Sequence, residues 1–255
     1  MHTLLELVRA TRSGLNRAQR KLIRRLGKSK DVWQGALPEE LAFWENALMD
    51  KGRHWNPESF RRRTDPQLEL QKELKELIPA LPGTLVRILD VGAGPLTRIG
   101  KNWTDHKLEI TATDPLADAY SAILDKLGIR PPVRTIPGEG EKLSGQFPSG
   151  HFDLAYASNS LDHSRDPLRV IEQMLTVVKR EHFVYLWHFA NVGEAEGYAG
   201  LHQWNFDINH GDFIVSDGRS PWGLAERLGK RVQLSCEEDY AFGSRVVIAK
   251  VRKIS

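Results

Sequence analysis

The sequence has a single cysteine, Cys236, among 255 residues. An internal disulfide is excluded and no cysteine cluster exists to hold zinc, so a reducing, cytoplasmic setting is expected. Apolar runs are short. Nothing approaches the roughly 20 apolar residues of a membrane-crossing helix, and the N-terminus carries charges where a signal peptide would place its apolar segment. Internal repeats and low-complexity tracts are also missing. The formal charge is small, +3, but unevenly spread: residues 1–30 carry nine Lys or Arg against one acid, a local +8 that leaves −5 for the remainder. The bulk of the chain lacks the broad basic face of an enzyme that grips long nucleic acid, and DNA is not an expected partner.

What is present suits one large α/β domain with an appendage, since 40% of the residues are hydrophobic and a chain of this length buries a full core. A helical arm and lid are expected over 1–82 and the main domain over 83–255. In the arm, Leu4, Val8, Leu15, Ala18, Leu22 and Leu26 recur at spacings of three, four or seven with arginines between them, which predicts a basic amphipathic helix over about 3–28. Its apolar stripe suits docking on the main domain or on a sister subunit of a homo-oligomer; an anionic membrane surface or RNA are the other surfaces its charge fits. Pro38, Glu39 and Glu40 suit a helix start, predicting a helix over 38–50 with Leu41, Trp44 and Leu48 on one face. Leu68, Leu70, Leu74 and Leu77 predict another over 65–78.

From Val86 short apolar runs alternate with helical segments. Strands are predicted at 86–91, 108–113, 132–136, 152–157, 182–189, 231–236 and 244–251. This pattern predicts a doubly wound, mostly parallel seven-stranded sheet covered on both faces. The last two strands are too close for a crossover helix and should form an antiparallel hairpin.

In such a sheet ligands sit at the carboxyl ends of the strands where the order reverses. Gly92 and Gly94, flanking Ala93, fall there directly after the first strand. The second strand ends in Asp114, whose carboxylate can accept hydrogen bonds from both hydroxyls of a ribose. A glycine turn with a distant acid reads as a nucleoside site. A nicotinamide dinucleotide wants G-x-G-x-x-G, so that a helix N-terminus meets its pyrophosphate, whereas Thr97 stands at the third glycine position. S-adenosylmethionine has no phosphate and fits better.

The segments VRILDVGAGP, TATDP, GEGEKL and FDLAYASNSLDH resemble, in order and spacing, successive motifs of the class I (Rossmann-like) S-adenosylmethionine-dependent methyltransferases, over roughly Val86 to Val251. The resemblance implies an enzyme that binds S-adenosylmethionine and releases S-adenosylhomocysteine. It places Asp90, Gly92, Ala93 and Gly94 around the methionine part, Asp114 at the ribose and Pro115 and Leu116 beside the adenine. It sets Glu139, with Gly140, at the adenine amino group, and Asn159 near the transferable methyl. Leu96 departs from the pattern, since many members have glycine there. The segment over about 190–222 would wall the acceptor pocket, and the N-terminal helices would close over the cofactor, bringing Arg63 of the Arg61–Arg63 cluster toward a carboxylate or phosphate.

Methyl transfer to a hydroxyl wants a nearby proton acceptor. His163 is the expected base, Asp162 orients it, and His202 and His188 are the runners-up. Trp204 and Phe206 offer flat faces and His202, Gln203 and Asn205 hydrogen-bonding groups, a mixture that suits a sugar, a glycan precursor or another small polar acceptor, with His188, His202, Gln203 and Trp204 as its expected contacts. No spacing among His188, Glu194, His202 and Asp207 matches a strong ligand pattern, and no metal is expected. Two other functions fit parts of the sequence. An RNA methyltransferase would use the basic arm, against which stand the acidic main domain and SNSL where an N-P-P-Y-type tetrapeptide would sit. A non-catalytic cofactor-binding partner protein is opposed by the intact glycines and Asp114.

Overall fold

The computed structural model describes residues 30–53 and 55–255, and of residues 30–33 only the backbone. The basic helix expected over about 3–28 lies outside the described residues. The chain opens with α1 (Lys30–Met49), α2 (Pro57–Thr64) and the short α3 (Lys72–Lys75). The sheet follows: β1 (Leu85–Val91), β2 (Lys107–Asp114), α4 (Ala117–Lys126), β3 (Ile136–Pro137), β4 (Phe152–Ser158), α5 (Pro167–Val177) and β5 (Val178–Phe189). After α6 (Val192–Ala195) come β6 (Asn205–Asn209), β7 (Asp212–Ser216), β8 (Trp222–Gly223) and α7 (Leu224–Leu228), and the chain ends in β9 (Val232–Ala241) and β10 (Ser244–Lys253).

The seven-stranded sheet runs β3-β2-β1-β4-β5-β10-β9. The pairs among β1 to β5 are parallel and β10 is antiparallel to both β5 and β9. The expected doubly wound sheet with its closing hairpin is therefore present. β9 and β10 extend further than predicted, because Ser244 already pairs with Ala241 across a two-residue turn. Phe242 and Gly243 there have φ of 53° and 77°, the mirror-image turn that suits the strands' twist. β1 and β4 are buried almost throughout, as strands covered on both faces must be. One face packs Val170, Ile171 and Met174 of α5; the other packs Leu70, Leu74, Ile78 and Ile99 against Ile88, Tyr156 and Trp187. No described helix is long and apolar enough to cross a membrane.

Four expectations need correction. Pro38 lies inside α1 rather than at its start, although a proline there forfeits a backbone hydrogen bond. The strand at 132–136 shrinks to Ile136–Pro137, beside the end of β2. The helix expected over 65–78 is replaced by α2 upstream and the four-residue α3. Leu68 to Leu70 run extended instead, with the amide of Leu70 donating to the carbonyl of Asn102 at 2.7 Å and that of Lys101 to Leu68 at 2.7 Å. Tertiary pairing has overridden a good helical leucine spacing. The 190–222 segment, read as a connection, contains a second antiparallel sheet, β6-β7-β8, whose Phe206, Phe213 and Val215 join the main core.

The crossing at residues 68–102 depends on Gly100, where a Cβ would stand 2.1 Å from the carbonyl oxygen of Glu69. Gly100→Ala must therefore push two backbone segments apart. It is expected to cost about 2–4 kcal/mol and lower the melting temperature by roughly 5–12 °C; an unchanged thermal unfolding curve contradicts this tight approach.

Candidate active site

The sheet order reverses between β1 and β4, and a cavity of about 1260 Å³ opens at the carboxyl ends of these strands. Asp90, Gly92, Ala93, Gly94, Asp114, Pro115, Leu116, Glu139, Gly140 and Asn159 all line it. Gly92 has φ +69°, and a side chain there would meet the Cβ of Ser160 at 2.5 Å. Only glycine satisfies both the conformation and the space. The amide of Gly94 donates to Oδ2 of Asp114 at 3.0 Å and that of Leu116 to Oδ1 at 2.9 Å. The acid at the end of β2 thus holds the glycine turn in place while it lines the cavity.

α1 supplies the opposite wall. Trp44 packs its ring edge against Gly94, and meets Trp55 edge-on at 5.2 Å and Tyr120 at 6.4 Å. The Arg63 guanidinium lies over Trp55 at 5.2 Å and donates to the carbonyl of Leu96 at 2.6 Å. Burial lowers Arg63 to about 9, with Arg98 adding repulsion. Leu96 and Thr97, which depart from glycine patterns, have structural work: Leu96 is wholly buried beside Leu48 and Leu124, and Thr97 donates to Oδ2 of Asp90 at 2.6 Å. Burial pushes Asp90 up to about 6, opposed by that bond and by the charges of Arg63, Arg98 and Lys101. Arg98, which sequence reasoning missed, also lines the cavity, donates to Oγ of Ser158 at 2.7 Å and lies over Trp187 at 4.4 Å.

At the other end of the cavity a 3-10 turn, Leu161–His163, follows β4. Nδ1 of His202 lies 2.6 Å from Oδ2 of Asp162 and 3.1 Å from Nε2 of His163. The sequence separates His202 from the other two by about forty residues; the backbone closes the gap, with the amide of Gln203 donating to the carbonyl of Asp162 at 2.9 Å. His163, His202 and Gln203 line the cavity, while Asp162 is fully buried behind them. Burial alone would raise Asp162, yet the charge of His163 and the hydrogen bond to His202 outweigh it and hold the carboxyl at about 2. These three residues bring potential ligand atoms within 4.8 Å of one another, a convergence their spacing did not reveal.

His188 and Trp204 do not share this wall. His188 is fully buried against Phe206, at 4.5 Å, and burial drops it to about 4. Strand alternation turns it into the core rather than toward an acceptor. Trp204 donates its indole N–H to the carbonyl of Ser164 at 2.9 Å and does not line the cavity. Asn159 takes a left-handed φ of 48° and its Oδ1 accepts from the amide of Phe189 at 3.4 Å. It clips the ends of β4 and β5 together beside the cavity. Glu139 lines the cavity and pairs with Lys142 at 3.0 Å.

Residues 89–186 match the family model described as a methyltransferase domain. Among solved structures, the chain is similar to a SAM-dependent methyltransferase from Aquifex aeolicus, at 15% identity and TM-score 0.42, covering 76% of this chain and 92% of that one. It is also similar to an arsenic(III) S-adenosylmethionine methyltransferase from Chlamydomonas reinhardtii, at 17% identity and TM-score 0.39, covering 73% and 71%. No curated protein matches it in sequence.

Burial raises Asp114 from 3.8 to about 6, partly offset by the amides of Leu116 and Gly94. The folded protein then binds a proton there that the unfolded chain releases near pH 4, so this carboxyl's contribution to stability is fully present below about pH 4 and lost as pH rises through 6. In urea unfolding, the stability of the native protein relative to Asp114→Asn should fall by on the order of 2 kcal/mol between pH 4 and 7. A difference that does not vary with pH contradicts the burial.

Proposed function

Since the chain carries a class I S-adenosylmethionine-dependent methyltransferase domain, we propose that it methylates a hydroxyl oxygen of a small polar acceptor, a sugar or glycan precursor. The observation that carries this reading is one cavity with two ends, one built on the glycine turn and Asp114 and the other, histidine-lined, on Asp162, His163 and His202.

In this reading Asp114, once ionised, accepts both ribose hydroxyls of the cofactor. Pro115 and Leu116 face the adenine, and Glu139 with Gly140 closes its far edge. Gly92 and Gly94 let the backbone approach the methionine part, whose carboxylate meets the positive charge of Arg63 and Arg98 beside Asp90. Asn159 stands near the methyl group. The acceptor enters beside His163, His202 and Gln203, whose hydrogen-bonding groups suit a polyhydroxylated molecule. Oxygen attacks the methyl carbon in line, the carbon–sulfur pair returns to sulfur, and S-adenosylhomocysteine leaves as a neutral thioether. A sugar hydroxyl is a poor acid, so its proton must leave as the bond forms. His163 receives it, and the buried charge of Asp162 stabilises the resulting imidazolium.

Calorimetric titration tests the cofactor half. The native protein should bind S-adenosylmethionine, and Asp114→Ala should weaken binding by about 100-fold, the loss of two hydrogen bonds to a charged group. No binding by the native protein sinks the reading. A methyl-transfer screen over nucleotide sugars, glycans, small phenols and RNA tests the acceptor half: turnover is expected with a carbohydrate, and turnover with RNA alone contradicts it. With the acceptor found, His163→Ala should lower kcat by roughly 100- to 10,000-fold with cofactor affinity unchanged. A variant that keeps most of its turnover removes His163 from the mechanism.

A further inference from the structure

Three electron-donating atoms converge at the acceptor end. Nδ1 of His202 lies 2.6 Å from Oδ2 of Asp162 and 3.1 Å from Nε2 of His163, and that Nε2 lies 3.4 Å from the same carboxylate oxygen. Hydrogen bonding serves this triangle poorly. A neutral imidazole nitrogen either carries a proton or accepts one. If Nδ1 of His202 donates to Asp162, it has no lone pair left for His163. If it accepts from His163, its lone pair faces that of a carboxylate at 2.6 Å. A single cation satisfies all three edges at once.

The edges also have a suitable size. A point slightly out of their plane lies about 2 Å from every one of the three atoms, the length of zinc bonds to imidazole nitrogen and carboxylate oxygen. Two imidazoles and one carboxylate, with a fourth position open, form a donor set used by catalytic zinc. The other carboxylate oxygen of Asp162, Oδ1, is buried with no hydrogen-bond partner among the described residues. A third imidazole stands nearby: His188, fully buried, has no protein partner for either ring nitrogen among the described residues and feels the charge of Asp162.

We propose that Asp162, His163 and His202 hold a divalent transition-metal ion of the zinc class, with its open coordination position facing the acceptor end of the cavity. Asp162 anchors the site from behind, and the two histidines present it to the cavity they line. This rests on the reading of the cluster as the group that activates the acceptor hydroxyl, with one change: His163, its Nε2 committed to the cation, no longer receives the proton itself. A hydroxyl bound to the cation loses its proton to water more readily, the resulting alkoxide attacks the methyl carbon, and the carbon–sulfur pair returns to sulfur as before.

The test uses the full chain, stripped with a chelator and titrated with Co²⁺, whose visible absorption reports nitrogen and oxygen coordination. The native protein should take up Co²⁺ stoichiometrically with visible bands. His163→Ala and His202→Ala should each lose the bands and at least about 10-fold in affinity, while binding S-adenosylmethionine as the native protein does. Zn²⁺ should displace the cobalt and bleach the spectrum. No uptake by the native protein, or uptake that both variants retain, overturns the metal site. If cofactor binding persists in that case, the methyltransferase reading stands and His163 acts as a base alone. Loss of cofactor binding by the native protein strikes the reading beneath it instead.

Discussion

The carboxylate of Asp114 ties together the parts on which this site depends. It accepts the amide of Gly94 from the turn after β1 and the amide of Leu116 from the start of the next helical segment. One side chain thus fixes the distance between two strand ends and the path of the glycine turn between them. Gly92 completes the arrangement, because its left-handed conformation brings the turn against Ser160 with no room for a Cβ. Trp44 then rests on Gly94, so α1 takes its position from the same turn. Burial makes ionisation of Asp114 costly in the absence of a ligand. Two ribose hydroxyls would supply the donors that water no longer does, which turns a destabilising acid into a source of binding free energy.

The two ends of the cavity carry opposite electrostatic arrangements. At the glycine end, the charges of Arg63, Arg98 and Lys101 all act on the buried acid Asp90, leaving a positive surplus beside it. At the histidine end, a buried carboxylate stays ionised because two imidazoles stand over it. S-adenosylmethionine has a negative carboxylate at one extremity and a positive sulfonium further along. A positive surplus where the carboxylate would sit favours one orientation of that molecule in the cavity. The sulfonium loses its charge as the methyl leaves, so a strongly negative surface directly at the sulfur would hold the reactant more than the transition state. Placing Asp162 behind His163 and His202, fully buried, keeps that charge at one remove.

The frame of the sheet was legible because buried parallel strands leave an unmistakable mark: continuous apolar runs such as VRILDV and FDLAYA, broken by glycine or polar turns. Their ends agree with β1 and β4 within a residue. The failures have separate causes. Leu68, Leu70, Leu74 and Leu77 keep helical spacing, yet the backbone at 68–70 pairs with residues 100–102, and no local pattern encodes a partner thirty residues away. The small sheet β6-β7-β8 did have a signal, alternation in Phe206, Ile208, Phe213 and Val215 around His210-Gly211, which the concentration of polar groups nearby obscured. The ten residues expected at the cofactor line one cavity, a convergence that was readable because they lie at or after strand ends in order. The histidine end was only half readable: His163 and Asp162 follow β4 directly, but nothing local says that His202 closes on Asp162 while His188 turns into the core.

That division has a physical consequence for acceptor choice. The glycine end rests on β1, β2, β4 and α1, whereas His202 and Gln203 come from the segment between α6 and β6. That segment is fastened from below as well as at Asp162. Phe206 and Phe213 stack at 5.5 Å beneath it, Asn205 accepts the amide of Glu194 at 2.8 Å and donates to the Tyr198 hydroxyl at 2.7 Å, and Arg245 of β10 pairs with Asp207 at 2.5 Å. The second sheet thus works as a platform beneath the cavity wall. Tyr198, Gly200 and Gln203 can change the shape and polarity of the acceptor wall without disturbing the glycine turn, Asp114 or the sheet. His202 is the exception, since it belongs to that segment and to the Asp162 cluster together. In the proposed reaction it would couple placement of the acceptor wall to the charge that activates the hydroxyl, so a shift of the platform would alter chemistry and selectivity together.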